Sequence, residues 1–378
     1  MKHSYIAKRF QSSAAGLSLD TEALAKYKDI IDLSIGDTDF TTDESIINAA
    51  FRDAKAGHTH YGDPKGDPEL IDAVCRAWEE DFGQRLPRDH VLVSASSCLG
   101  MALVMLAILD PGDEVIAFSP YFPMYREQIE LAGGVCVDVP TYASEDYAID
   151  EARLRAAITP RTKAIVFNNP TNPTGMGYDG KTLELLARVA QEHDLLIAAD
   201  EIYTTYLYEG DFCPIRTLPG MAERTITLNS FSKNFLMTGW RVGVIIAEPE
   251  LLAVMNRING SLIYSAPSVS QRAAIQKEIR EKYVTAYRDR IFYAADRIEK
   301  LPYLSLVRPK GTFYLFPGVE KTGLDEKAFC KVLLDQAHVL VSPGTPFGVS
   351  AAGHFRIACT VGIDRLKAAF DRMEKLSF

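Results

Sequence analysis

Short apolar segments alternate with helical stretches from about residue 91 of the chain onward. Several of these segments contain only apolar residues, as expected for strands of a sheet that is covered on both faces. Stretches of helical length, such as residues 181–192, separate most of them. The pattern predicts a doubly wound α/β domain with a mostly parallel, seven-stranded sheet. Its predicted strands are residues 91–94, 114–118, 134–139, 164–167, 195–199, 225–228 and 242–247.

The pattern changes after about residue 268. A long charged helical stretch over residues 270–300 is followed by short apolar segments and a closing helix, a mixture that predicts a smaller α+β domain. Its predicted strands are residues 303–307, 311–316, 339–342 and 355–358, and its predicted helices are residues 325–336 and 364–375. We therefore predict a large α/β domain over residues 46–270 and a small domain formed by residues 1–45 and 271–378.

The composition of the 378-residue chain, with 47% hydrophobic and 24% charged residues, is typical of a globular protein of this size. A net charge of −9 without a long basic run argues against a nucleic-acid partner. No apolar stretch reaches the roughly 20 residues that span a bilayer, and the N-terminus lacks the apolar core of a signal peptide. The six scattered cysteines and seven histidines show no disulfide or metal-ligand spacing, so we expect a cytoplasmic protein without a metal site.

Lys233 follows the predicted strand 225–228, a position where the desolvation of an ammonium group is costly. Burial lowers the pKa of a lysine, and a neutral amine can attack a carbonyl carbon. Ser230 and Ser232 precede Lys233, and Arg241 follows eight residues later, a set of side chains that suits a phosphate. A lysine that forms a Schiff base beside a phosphate site is what pyridoxal phosphate requires.

Three further segments place polar groups at predicted strand ends, where open α/β sheets bind ligands. Asp200 directly follows strand 195–199, and its carboxylate could either hold a pyridinium nitrogen in its protonated form or cap a helix. Asn172 lies in a proline-rich loop after strand 164–167, and such rigid loops often carry binding residues. Residues 93–103 pass from a strand into a helix whose free N–H groups could bind an anion, although a plain serine cap would look the same.

Residues 175–182 match the P-loop pattern G-x-x-x-x-G-K-[ST]. A P-loop's first glycine should follow its strand almost at once, whereas here seven residues, two of them prolines, separate Phe167 from Gly175. We therefore keep a P-loop nucleotide enzyme only as a remote alternative. An exposed helix start explains Gly180, Lys181 and Thr182 equally well.

Taken together, these segments resemble the class I/II aminotransferases of pyridoxal phosphate fold type I, from about residue 31 to the end of the chain. The most specific motifs are Ser230-x-Ser232-Lys233 followed by residues 238–243, and residues 172–175 placed upstream of Asp200-x-x-Tyr203. The resemblance implies a pyridoxal-phosphate-dependent aminotransferase that moves an amino group between an L-amino acid and a 2-oxo acid.

The resemblance also implies a role for each matching residue. Lys233 would bind the cofactor as a Schiff base and carry the proton, and Asp200 would pair with the pyridine nitrogen. Tyr203 and Asn172 would donate hydrogen bonds to the ring oxygen. Further cofactor contacts would come from Ser97, Cys98, Phe122, Ser230, Ser232 and Arg241, and from Tyr61 of a neighbouring subunit, which implies a homodimer with shared sites. Arg356, assisted by Gly36 and Asn172, would bind the substrate α-carboxylate.

Two positions depart from the family pattern. Ser96 stands where glycine is usual, so the phosphate turn is expected to differ locally. Ser261 stands where one aspartate aminotransferase subgroup has an arginine that binds acidic side chains, so an acidic substrate would need another cation. The sequence-based hypothesis is therefore a neutral or aromatic substrate, with Ile35 and Tyr264 as lining residues.

The motifs leave other functions open. A carbon–sulfur lyase that works by β-elimination would need the same lysine, aspartate and arginine. A regulatory protein that keeps this fold and binds DNA usually has an additional N-terminal module, whereas only about thirty residues precede Ile31 here, and the chain is acidic.

Overall fold

The computed structural model describes Tyr5, residues 26–275 and residues 281–378, the side chains of residues 281 and 282 excepted. Residues 1–4 and 6–25 of the predicted small domain therefore lie outside the described residues. The strands, in chain order, are β1 Ile31–Asp32, β2 Val91–Ser94, β3 Glu114–Ser119, β4 Val135–Pro140, β5 Thr162–Asn168, β6 Leu196–Asp200, β7 Thr225–Ser230, β8 Gly243–Ile246, β9 Tyr314–Leu315, β10 Val339–Leu340, β11 Ser342–Pro343 and β12 Phe355–Ala358.

Helices connect most of these strands. The α-helices are α1 Glu44–Lys55, α2 Pro68–Phe82, α3 Ser97–Ile108, α4 Met124–Leu131, α5 Glu151–Ala157, α6 Gly180–Glu192, α7 Phe231–Asn234, α8 Pro249–Leu262, α9 Ser268–Ala274, α10 Glu281–Ile298, α11 Glu326–Val332 and α12 Ile363–Met373. A π-helical turn, Leu333–Ala337, continues α11. Short 3₁₀ turns occur at Arg88–His90, Ala143–Glu145, Thr204–Tyr206, Ile215–Thr217, Ala222–Arg224, Thr238–Trp240, Glu320–Thr322, Thr345–Phe347 and Val349–Ala351. None of the described helices has the length and apolar character that crossing a membrane requires.

The predicted seven-stranded sheet is confirmed, with strand order β2-β8-β7-β6-β5-β3-β4. Each predicted strand is present, and its ends lie within two residues of the prediction. Strand β8 runs antiparallel to both of its neighbours, and the other pairs along the sheet are parallel.

Helices cover both faces of this sheet, which explains why the central positions of several strands are apolar on both faces. In β5, Ala164 and Val166 pack into a cluster with α3 and α8. The alternate residues Ile165 and Phe167 pack on the opposite face, against α5 and α6. Since successive side chains of a strand point to opposite faces, a sheet covered on both sides needs apolar residues throughout.

The topology brings several chain segments to one edge of the sheet. Strands β5, β6 and β7 end there with Asn168, Asp200 and Ser230. The antiparallel strand β8 starts at the same edge, because Gly243 pairs with Ser230 on one side and with Ser94 on the other. Binding residues that are far apart in sequence therefore meet at the carboxyl ends of the parallel strands.

The C-terminal part folds into two small sheets and helices. Strand β1 pairs in parallel with β10, and β11, β12 and β9 form an antiparallel sheet. Helices α10 and α12 pack on them around a core that includes Ile31, Ile298, Phe355 and Phe370. An N-terminal strand thus belongs to the same core as the C-terminal elements. The division of the chain after residues 45 and 270 stays a prediction.

Several predicted elements of this part were wrong in detail. Residues 303–307 form no strand beyond one bridge between Ser305 and Gly318, because the apolar side chains there pack into the core from a turn. The predicted strand 311–316 is reduced to β9, since Thr312 has a φ of 60° that interrupts extended backbone.

The remaining predicted elements of this part are present with changed bounds. The predicted strand 339–342 is divided into β10 and β11, and the predicted helix 325–336 ends in the π-helical turn. The predicted helix 270–300 corresponds to α9 and α10, and residues 276–280 lie outside the described residues. Strand β12 has the predicted bounds, and the closing helix is α12.

Candidate active site

A cavity of about 980 Å³ lies between the sheet edge and the C-terminal elements. Every predicted site residue except Tyr61 lines it: Gly36, Ser97, Cys98, Phe122, Asn172, Asp200, Tyr203, Ser230, Ser232, Lys233, Arg241 and Arg356. We call the side that carries Ser97, Asp200, Ser230 and Lys233 the sheet wall. The side that carries Gly36, Tyr314, Lys327, Lys331 and Arg356 is called the small-domain wall.

Asp200 ends β6 and is buried on the sheet wall. The Tyr125 hydroxyl donates a hydrogen bond to its Oδ2 atom over 2.5 Å. Burial raises the pKa of Asp200 to about 6, although the hydrogen bonds from Tyr125 and from the Ile202 backbone oppose this shift. Its Oδ1 atom is buried and has no hydrogen-bond partner among the described residues. Such an acceptor is costly to leave unpaired, which indicates that a ligand donates to it.

Lys233 lies in the short helix α7, directly after β7. Its Nζ atom donates a hydrogen bond to the backbone oxygen of Gly36. Burial lowers the pKa of Lys233 to about 8, the nearby charge of Asp37 raises it, and Arg356 and Arg241 lower it further. A substantial fraction of this side chain is therefore a neutral amine near pH 8, as a nucleophile or a proton carrier requires.

The first turn of α3 presents its free N–H groups to the cavity, through Ser97 and Cys98. Ser96 caps this helix with a φ of 87°, in the left-handed region that favours glycine, at a cost of about 1–3 kcal/mol. The backbone therefore keeps the conformation expected for glycine although the residue is serine. Gly243 lies opposite, where an added Cβ would come within 2.7 Å of the Ser97 nitrogen. A side chain at Gly243 would displace this helix start.

Two serines and an arginine extend the same end of the cavity. Ser230 caps α7, and its hydroxyl donates to the Ser232 hydroxyl over 2.9 Å. Arg241 precedes β8 and is exposed, with one Nη1 hydrogen bond of 2.8 Å to the Thr238 oxygen. Its remaining donors are available to an anion. Helix N–H groups, hydroxyls and a guanidinium together form a site for a phosphate group.

Tyr203 is buried beside Tyr314, and their hydroxyl oxygens lie 3.0 Å apart. Burial raises the pKa of Tyr203 well above its usual value, so the phenol stays protonated and can donate a hydrogen bond. Tyr314 also explains the glycine at position 36, because a Cβ there would lie 1.8 Å from the Tyr314 hydroxyl oxygen. Gly36 thus allows the N-terminal segment to approach Lys233 closely.

Arg356 belongs to β12 and is buried, with 4% of its surface exposed. Its Nη1 atom donates to Asn172 Oδ1 over 3.0 Å, and its Nη2 atom donates to the Ser34 oxygen over 2.6 Å. Its guanidinium stacks 4.7 Å from the ring centre of Tyr314. Burial lowers the pKa of Arg356, but a guanidinium keeps its charge in proteins. The Nε atom has no hydrogen-bond partner in the described part of the chain, which leaves a buried cation ready for a carboxylate.

The remaining predicted contacts differ in position. Phe122 lines the cavity and meets Tyr125 edge to face, with ring centres 5.8 Å apart. Tyr61 is 87% exposed and packs against Tyr264, outside the cavity of its own chain. Ile35 lines the cavity as expected, whereas Tyr264 does not.

Sequence reasoning missed three contributions to the cavity. The sequence places Tyr125 in a helix that follows a strand end, but nothing in the sequence links it to Asp200. Tyr314 follows a glycine and a phenylalanine in an apolar segment, and looks like a core residue. The lysines of α11 look like an ordinary exposed helix face, because only the packing of the two walls places them on a cavity.

The P-loop pattern adopts a different structure. Helix α6 starts at Gly180 with Asp179 as its cap. The oxygen of Gly175 accepts hydrogen bonds from the N–H groups of Lys310 and Gly311, both 2.8 Å away. Residues 175–182 therefore pack against the C-terminal part and do not form an open phosphate loop.

Comparisons with known proteins agree with this geometry. Residues 28–373 match the family model of aminotransferase class I and II. The chain is 36% identical over 363 residues to an aspartate aminotransferase of Pyrococcus abyssi, covering 93% of this chain and 92% of that protein. It is 37% identical over 356 residues to an aspartate/prephenate aminotransferase of Thermus thermophilus, covering 92% and 91%. Among solved structures, the aromatic aminotransferase of Pyrococcus horikoshii superposes with a TM-score of 0.89 at 34% identity, covering 94% of this chain and 97% of that one.

Proposed function

This chain belongs to the class I and II aminotransferase family and is an aminotransferase, and from that premise we propose that it uses pyridoxal phosphate and works as a homodimer. It moves an amino group between an L-amino acid and a 2-oxo acid. The observation that carries the cofactor proposal is one pairing in the cavity. Half-buried Lys233, whose pKa is lowered, lies in the same cavity as Asp200, whose buried Oδ1 atom has no partner among the described residues.

The residues present fit pyridoxal phosphate at each of its polar groups. The Asp200 Oδ1 atom supplies the missing acceptor for a ring N–H group. Tyr203 can donate to the ring oxygen, and the start of α3 with Ser230 and Arg241 can hold the phosphate. Lys233 supplies the amine that would hold the aldehyde carbon. When bound, the protonated ring withdraws electrons from the bonds at the substrate Cα atom.

Lys233 is the group that moves the proton. A pKa of about 8 allows its Nζ atom to accept a proton from the substrate Cα atom and to donate it to a neighbouring carbon atom. The Gly36 oxygen accepts a hydrogen bond from Nζ and so keeps the amine in the cavity while it is free. The nearby charge of Asp37 raises the pKa of Lys233, against the effect of burial, and so stabilises its protonated form between the two transfers.

Arg356 orients the substrate. Its Nη atoms are already fixed by Asn172 and Ser34, so the guanidinium plane is set before a carboxylate arrives. A preorganised cation loses little conformational entropy on binding and fixes which bond at Cα faces the ring. The nearby rings of Tyr314 and Phe347 keep water away from this contact.

The homodimer proposal rests on Tyr61. It is exposed beside Tyr264, and the phosphate end of the cavity within one chain lacks it. A second copy that supplies Tyr61 would complete that end. We also propose a cytoplasmic location, which the six free cysteines support because thiols persist in a reducing compartment.

A spectroscopic experiment tests the function. Purified protein is loaded with pyridoxal phosphate, and we expect an absorbance that borohydride abolishes, with the reduced adduct on Lys233 by mass spectrometry. Amino acids should then release 2-oxo acids only when an acceptor 2-oxo acid is present. Release of ammonia and pyruvate without an acceptor would instead indicate β-elimination, and a colourless protein that retains ATP would overturn the cofactor.

Mixed dimers test the shared site. Tyr61→Phe and Lys233→Ala chains are mixed after mild denaturation, so that one of the two cavities regains both native residues. We expect activity to return above that of either parent variant. A mixture that stays at the parents' level, while the chains exchange, contradicts a site shared between subunits.

A further inference from the structure

Helix α11 and its π-helical turn present one face to the cavity. Lys327, Cys330, Lys331 and Leu334 all line it, and their spacing of three and four residues places them on the same side of a helix. The opposite side is anchored, because Phe329 and Leu333 lie in the core of the small domain. The helix is therefore fixed with this face toward the cavity.

Glu326 adds a second anchor at the helix start. Its carboxylate accepts hydrogen bonds from the Thr345 hydroxyl and, over 3.0 Å, from the Gly353 nitrogen. Asp325 caps the same end by accepting from the Ala328 nitrogen over 2.7 Å. Among the described residues, neither acid forms an ion pair with Lys327 or Lys331, and Lys331 is paired with Asp335 instead.

The cations that line the cavity have different partners. Arg356 is assigned to the α-carboxylate, Arg241 to the phosphate, and Lys233 to the cofactor aldehyde. Lys331 is paired with Asp335, whose Oδ2 atom is 2.5 Å from its Nζ atom. Lys327 has no hydrogen bond or ion pair in the part of the chain that the structure describes. One positive charge on the cavity surface is therefore left without a function or a counter-ion.

We infer that the part of the cavity beside Lys327 is the subsite for the substrate side chain, and that Lys327 binds a negatively charged group there. Lys331, which is paired with Asp335, is not part of this subsite. The inference rests on the proposed function and names its substrate class: an acidic L-amino acid and the matching 2-oxo dicarboxylic acid. Arg356 would bind one carboxylate and Lys327 the other. Ser261, at the position where an arginine would have served this purpose, lies on α8 and outside the cavity.

The apolar residues that line the same cavity agree with such a substrate. Ile35, Leu334 and Leu340 line the same cavity. They suit the methylene groups that lie between two carboxylates, whereas a long aromatic side chain would bring apolar surface against the charge of Lys327. Tyr264, the residue expected to favour an aromatic substrate, is outside the cavity and packs on Tyr61.

An exposed lysine contributes a modest and salt-dependent selectivity. Lys327 must lose side-chain rotamer freedom when it binds, and its charge is screened at high ionic strength. We therefore expect the preference for acidic over neutral amino donors to decrease about threefold to fivefold without Lys327, the size of effect that an exposed ion pair has.

The test compares Lys327→Gln with Lys331→Gln in the holoenzyme. The second change removes a lysine from the same helix face, but one that Asp335 already neutralises, so it is a matched control. For each variant, kcat/KM is measured with L-aspartate, L-glutamate, L-alanine and L-leucine at low and high salt. Binding of succinate to the holoenzyme, measured by calorimetry, is compared with binding of butyrate, which lacks the second carboxylate.

We expect Lys327→Gln to lower the ratio of kcat/KM for acidic donors to that for neutral donors and to remove the salt dependence of this ratio. It should weaken the binding of succinate but not that of butyrate. Lys331→Gln should leave the ratio within about twofold of wild type, and Lys327→Arg should restore it. An unchanged ratio in Lys327→Gln, or a wild type without preference for acidic donors, overturns the subsite and leaves the aminotransferase intact. A wild type that transaminates no donor overturns the proposed function. In that case, binding of succinate compared with binding of butyrate still tests the subsite.

Discussion

The two walls of the cavity differ in how their polar groups are held. On the sheet wall, Asp200, Ser230 and Lys233 end or follow strands of one sheet, and hydrogen bonds fix them in a buried or half-buried setting. On the small-domain wall, Arg356 is fixed as firmly, but the lysines of α11 are exposed and one of them is unpaired among the described residues. The reactive groups are thus held rigidly, whereas the exposed lysines that face the substrate side chain can change their conformation.

This difference has a physical origin. A buried ion or amine costs free energy unless its surroundings are fixed, so reactive groups are placed on the rigid sheet edge. A group that selects a substrate needs only a complementary charge at the rim of the cavity. Solvent there lowers both the desolvation cost of that charge and the strength of its ion pair. Substitutions of the reactive groups on the sheet wall should therefore abolish the reaction, whereas substitutions of the α11 lysines should alter substrate binding.

Lys233→Ala is expected to have the largest effect. It removes the amine that holds the cofactor and carries the proton, so turnover should fall about 10⁴-fold or more. Single-turnover measurement of 2-oxo acid formation checks this. Lys181→Ala, in the exposed start of α6, is the control and should behave as wild type. Retained transamination by Lys233→Ala would falsify the assignment of this residue.

Asp200→Asn should lower turnover about 10³-fold, because it removes the charge that stabilises a protonated ring nitrogen. The pKa of Asp200 is about 6, raised by burial, so the carboxylate is charged above this pH and is neutralised as the pH falls through it. Cofactor affinity in the wild type should therefore decrease below about pH 6. Measurement of cofactor affinity as a function of pH checks this. In Asp200→Asn the decrease in affinity at low pH should be absent.

Gly36→Ala probes the small-domain wall at its most crowded point. An added Cβ would lie 1.8 Å from the Tyr314 hydroxyl, so the segment must move away from Lys233 and Arg356. Displacement of a positioned group by about 1 Å can cost about 10²-fold in rate. Kinetic constants check this, with Gly239→Ala as a control because a Cβ there meets nothing within 4 Å. A variant with wild-type kinetics would show that this close approach has no role.

Tyr125→Phe should have the smallest effect, about tenfold on kcat/KM, since it removes one hydrogen bond to a charged group. That hydrogen bond lowers the pKa of Asp200. Its loss should therefore shift the decrease in cofactor affinity at low pH to a higher pH. Tyr121→Phe is the matched control, because the Tyr121 hydroxyl accepts from Arg126 over 3.0 Å. If both variants shift the pH profile equally, Tyr125 has only a packing role.

Much of the large domain was predictable, because its signals are local. Continuous apolar strands, helices between them and polar residues at strand ends predicted the sheet and the positions of Lys233, Asp200 and Asn172. The small domain was less predictable. Its strands of two residues depend on distant partners, such as β1 with β10, and an isolated segment of that length has no pattern of its own.

The sequence by itself determined the residues of the sheet wall, since each follows a strand whose period and polarity mark its end. Only the tertiary structure decided what these residues contact. The hydrogen bond from Tyr125 to Asp200, the approach of Gly36 to Lys233 and the place of Lys327 on the cavity all join segments far apart in the chain. Such contacts depend on how the two walls pack together, and the pattern of one segment carries no record of that packing.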